Sequence, residues 1–169
     1  INMKTNLVDL MSRISQLERE YNELSLELRS HCMNIKVIEL NGSEQVLEEY
    51  PDFMEKFKEY MELSDTISKL KGILYEKNNS LTLSTGMTIQ QALVFIQNNR
   101  NNLELIKTLA KKNPVKYRTT ETNNSYFTAK ELAYDKRYME QTEQELKTII
   151  QRTELEISQL NSQMFEIEI

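Results

Sequence analysis

Apolar residues recur every third and fourth position early in the chain, where Leu7, Leu10, Ile14, Leu17, Tyr21, Leu24 and Leu28 fall on one stripe. That spacing belongs to an amphipathic helix, and its strict heptads favour packing against a second helix. The pattern predicts a first helix over about 4–33. It breaks at Asn34, and Ile35 to Leu40 alternates β-branched and polar residues ahead of Asn41-Gly42, a pair suited to a tight turn. A short extended segment is expected there. Pro51 suits the first turn of a second helix, 51–78, with a seam of Phe53, Phe57, Tyr60, Ser64, Ile67 and Leu74.

Thr88 followed by Gln91 reads as a capping box and opens a third helix, 88–112, which Asn113-Pro114 ends. Ala92, Leu93, Val94, Phe95 and Ile96 are apolar on every side of it, which predicts burial among several neighbours. Val115 to Phe127 is rich in Thr and Tyr and holds Asn123-Asn124 as a turn, so it reads as a second extended segment. Thr128 with Glu131 forms another capping-box pattern, flanked by Phe127 and Leu132 as a hydrophobic staple. A fourth helix is therefore predicted over 128–165, with Met139, Thr142, Leu146, Ile149, Thr153, Leu160 and Met164 as its seam and Ile167 just beyond.

These elements predict an all-α fold: one antiparallel helical-bundle domain over 1–169, with long coiled-coil-like helices and two short extended segments. Composition agrees, because three glycines, two prolines and no tryptophan in 169 residues leave little turn chemistry for an all-β chain. No period of 20 to 50 residues repeats, which argues against a solenoid. Long seams exceed what one chain needs to cover. Leu10, Leu17, Leu24, Leu146, Ile149, Leu160 and Met164 are the expected seam of a homo-oligomer.

Charge narrows the partners. A net charge of -5 disfavours general binding to nucleic acid, which rests on cations neutralising phosphates. The one concentrated basic run, Lys107, Lys111, Lys112, Lys116 and Arg118, is a candidate contact for an acidic protein partner, a phosphate or an anionic lipid head. Three of its lysines lie in the last turns of the third helix, where cations also complement the helix dipole. No apolar run approaches the roughly 20 residues that span a bilayer. Lone Cys32 forms no internal disulfide, so a cytoplasmic location is expected.

Catalytic patterns are sparse. The chain has no phosphate-cradling glycine loop, no Gly-x-Ser-x-Gly elbow and no paired-cysteine zinc spacing. Its single histidine, His31, cannot furnish the two Glu-x-x-His pairs of a di-iron bundle, and it reads as a structural seam residue. No catalytic residue, metal ligand or cofactor is expected. Tyr117, Tyr126, Tyr134 and Tyr138 cluster around the second extended segment, where tyrosine suits either packing or an interface.

The order of elements resembles the septicolysin-like family of small helical bacterial proteins. The resemblance rests on the leading heptad helix, the helix start Thr88-Ile89-Gln90-Gln91-Ala92-Leu93, the basic segment Lys116-Tyr117-Arg118 and the long final helix. The chain departs from it at Ile96-Gln97, where the family often has Arg-Asp, and at Asn161-Ser162, where it has Asn-Trp. What the resemblance implies is architecture; the family name adds a membrane-active lysin as one alternative. The primary expectation is a noncatalytic oligomeric interaction or scaffold protein. A third alternative is an enzyme or small-ligand binder whose site forms at a subunit interface from Tyr, Glu, Lys and Arg.

Overall fold

A computed structural model describes residues 2–168. In chain order the elements are β1 (Asn2–Thr5), α1 (Leu7–Ser30), β2 (Ile35–Ile38), β3 (Glu44–Glu48), α2 (Phe53–Ser80), α3 (Ile89–Lys111), β4 (Val115–Glu121), β5 (Asn124–Lys130), α4 (Lys136–Asn161) and β6 (Phe165–Glu168). They divide between two compact units, Ile1–Asn78 with Asn161–Ile169, and Asn79–Leu160.

In the first unit the heptad stripe of α1 is buried as its spacing requires: Leu7, Leu10, Ile14, Leu17, Leu24 and Leu28 all leave solvent. The helix starts three residues later than predicted, because Asn6 caps it and accepts a hydrogen bond from the Asp9 N–H at 2.8 Å. Side-chain pairs fix how α2 lies against it. Glu27 pairs with Lys56, the Tyr21 and Tyr60 rings stack at 4.4 Å, and Glu18 pairs with Lys71. As one number falls the other rises, so the two helices are antiparallel. The segment between them is a β-hairpin, β2–β3, turned by Gly42 at φ +87° and by Asn41, whose side chain accepts from the Ser43 N–H at 3.0 Å.

Two further strands were not anticipated. β1 pairs antiparallel with β6, Asn2 opposite Glu168 and Thr5 opposite Phe165. The predicted helices 4–33 and 128–165 overlapped them only at Lys4–Thr5 and at Phe165. Thr5, Leu7, Leu10, Leu70 and Ile167 are all buried and form the best-covered part of this unit.

The second unit has the same plan of helix, hairpin, helix. The capping box that opens α3 is present in both directions: the Thr88 hydroxyl accepts from the Gln91 N–H at 3.1 Å, and the Gln91 side chain accepts from the Thr88 N–H at 3.0 Å. Arg100 pairs with Glu154, and Tyr134 donates its hydroxyl to the Leu109 carbonyl at 2.5 Å, so α3 and α4 are also antiparallel. Burial concentrates at Leu83, Ile89, Ala92 and Ile96 near the start of α3, and at Ile150, Thr153 and Ile157 on α4. Leu93 and Val94 are exposed, so the apolar run of α3 is covered on one side only.

The fourth helix begins eight residues after its predicted start. Thr128 lies in β5, opposite Tyr117, and the chain turns into α4 at Asp135, which accepts from the Arg137 N–H at 2.9 Å. Strand pairing with β4 overrides the local capping pattern. The all-α helical bundle is thus corrected, among the described residues, to a mixture of four helices and six short antiparallel strands in three two-stranded sheets. Both extended segments turned out to be complete hairpins, since β2 and β4 each find an antiparallel partner directly after a short turn.

Candidate functional site

The seam residues expected to join subunits take different positions. Leu10, Leu17 and Leu24 are buried within the chain, in the stripe of α1 that α2 faces, and are not on offer to another molecule. On α4, Leu146 and Leu160 are half-buried and Ile149 is 44% exposed, while its neighbour Ile150 is buried. Met164 is exposed and lies between α4 and β6 rather than on the helix.

The basic run lies along the end of α3 and into β4. Lys107 is half-buried, Lys111 and Lys112 are exposed at the helix end, and Lys116 and Arg118 stand on one face of the β4–β5 hairpin. Register places Phe127 and Ala129 of β5 on that same face. The Lys116 ammonium sits 5.0 Å from the centre of the Phe127 ring, and the Arg118 guanidinium donates to the Ser125 hydroxyl at 2.7 Å. The opposite face carries Val115, Tyr117 and Tyr126, all exposed.

What the sequence did not disclose is how little covers the hairpins. Every residue of β2 and β3 is exposed, including Ile35, Val37, Ile38, Val46 and Leu47, and Leu40 in the turn is fully so. On β4–β5 only Thr119 and Thr128 are partly covered. A two-stranded hairpin alone in water is marginal at best, and its outer edges carry unpaired N–H and C=O groups. Here both faces of two hairpins, with ten or so apolar side chains between them, meet solvent.

The hairpins also differ in charge. From Ile35 to Glu48, Lys36 stands against Glu39, Glu44 and Glu48, leaving two negative charges. From Val115 to Lys130, Lys116, Arg118 and Lys130 stand against Glu121, leaving two positive charges.

Perturbed titratable groups lie elsewhere, in the first unit, and each is paired. Lys56 is held above the ordinary lysine value by Glu27 and then by Asp52, and Lys71 by Glu18. The hydrogen bond shared with Tyr60, at 2.6 Å, raises Tyr21, with partial burial adding to it. The Tyr50 hydroxyl donates to Glu48 at 2.8 Å, and the adjacent carboxylate raises its pKa. His31 is exposed at the end of α1 and stacks on Tyr50 at 4.7 Å, rather than continuing the seam. A polar groove of about 500 Å³ is lined by Glu18, Tyr21, Ser64 and Lys71, and Glu18 and Lys71 pair with each other across it. A more apolar groove of about 450 Å³ between Met3, Leu10, Leu70 and Ile167 has Asp9 and Arg13 at its edge.

Among the described residues no three His, Cys, Asp or Glu side chains gather as a metal site, and no helix is long and apolar enough to cross a membrane. Comparison with protein families, curated proteins and solved structures finds no match to this chain.

Proposed function

We propose that this chain is a noncatalytic, oligomeric interaction or scaffold protein whose docking elements are its two β-hairpins. The observation that carries the reading is their exposure: apolar strands such as Ile35–Ile38 and Val115–Tyr117 stand in water on both faces, a state that partner binding relieves. The basic run from Lys107 through Lys111, Lys112, Lys116 and Arg118 adds an attraction for an acidic surface. Each hairpin joins two helices that are paired with each other, α1 with α2 through Tyr21–Tyr60 and α3 with α4 through Arg100–Glu154. A reducing cytoplasm suits the reading, since Cys32 is exposed and without a partner cysteine.

The test is the solution mass by light scattering at micromolar concentration, with dye-loaded anionic and neutral vesicles as a second arm. The reading expects a mass that is a multiple of the chain and intact vesicles. A monomer at all concentrations would overturn it, and a monomer that releases dye would replace it with the membrane-active alternative.

A further inference from the structure

We infer that the occupant of the hairpins is a second copy of this chain, joined heterologously: the acidic β2–β3 hairpin of one molecule adds its edge to the basic β4–β5 hairpin of another. This rests on the reading above and names its partner.

Charge decides among the possible pairings. Pairing β3 with β3 would set Glu44 and Glu48 against the same residues of another copy, and pairing β4 with β4 would set Lys116 and Arg118 against themselves; like charges directly opposite across strands are repulsive. Pairing β3 with β4 sets the glutamates beside Lys116 and Arg118 instead, and net charges of opposite sign then meet. Each hairpin supplies what edge addition needs. Each strand is bonded on one side only, since the sheets have two strands each. No proline interrupts any of the four strands. The apolar residues on the joined faces, Ile38 and Val46 on one hairpin with Phe127 and Ala129 on the other, then share a surface that neither buries alone.

The rule is heterologous, so it can be tested by exchange of charge. One variant carries Lys116→Glu and Arg118→Glu, leaving both hairpins acidic; a second carries Glu39→Lys and Glu48→Lys, leaving both basic. All four positions are exposed, and circular dichroism checks that the helices persist. At low ionic strength the unaltered protein is expected to associate, each variant alone to weaken that association by about tenfold or more, and an equimolar mixture of the two to regain it. Raising salt to about 1 M, where screening acts within about 3 Å, should weaken the native complex as well. Lys116→Arg, which keeps the charge, should leave the mass unchanged. An oligomer that survives both charge exchanges at native strength would overturn the hairpin pairing while leaving the scaffold reading in place. A monomer in every sample would overturn both.

Discussion

Tyr21 and Tyr60 share one hydrogen bond between stacked rings, flanked by Lys56 with Glu27 and Lys71 with Glu18. Tyr21, Lys56 and Lys71 all have raised pKa values, so the folded chain holds these protons more tightly than the unfolded chain does. Their contribution is complete below the ordinary values of 10.0 and 10.5 and is lost as pH rises through the higher folded values. The urea midpoint should therefore stay level from neutral pH to about 9 and fall by about 11. Tyr21→Phe, which keeps the ring stack, should remove the tyrosine share of that fall; a midpoint level to about pH 11 would contradict the account. Burial sets a second contrast between single residues. Leu7 is wholly buried and Leu40 wholly exposed. Leu7→Ala should cost about 2–5 kcal/mol in urea denaturation, and Leu40→Ala no more than about 0.5 kcal/mol.

At the scale of elements, the two capping boxes read from sequence separate cleanly. Thr88 and Gln91 make theirs, while Thr128 spends its hydroxyl beside Thr119, 3.4 Å away across the hairpin. Thr88→Ala and Asp135→Ala should each destabilise by about 1 kcal/mol, whereas Thr128→Ala should leave α4 intact by circular dichroism. Loss of α4 helicity in Thr128→Ala would restore the earlier helix start. This pair explains what was legible. The α1 stripe and the Thr88 cap are decided by residues a turn apart, and so is the Asn41-Gly42 bend. Whether Thr128 starts a helix depends on a strand that precedes it, and whether Ile149 or Ile150 faces inward depends on the partner helix. The basic run could be read from its spacing, but the exposure of both hairpin faces, and hence the contrast of their charges as a surface property, needed the fold.

For the whole molecule, the least legible feature is the sheet of β1 with β6, whose register joins Asn2 to Glu168. No local pattern reports a pairing across that many residues. Ile167 is 5% exposed within it, so Ile167→Ala should lower stability by about 2–5 kcal/mol, and a chain ending at Met164 should expose Leu7 and Thr5 to solvent. Hydrogen exchange along β1, where alternate amides bond to β6, reads this directly; protection unchanged by the truncation would show that the sheet is dispensable. The same sheet has a consequence for polypeptide engineering. Because β1 and β6 run side by side in opposite directions, with Asn2 opposite Glu168, the stretch 2–168 starts and finishes at neighbouring points. Splicing it into a surface loop of another protein would hardly pry that host apart, and closing the two strands with a short linker would allow new ends to be opened at Asn41-Gly42 or Thr122-Asn123.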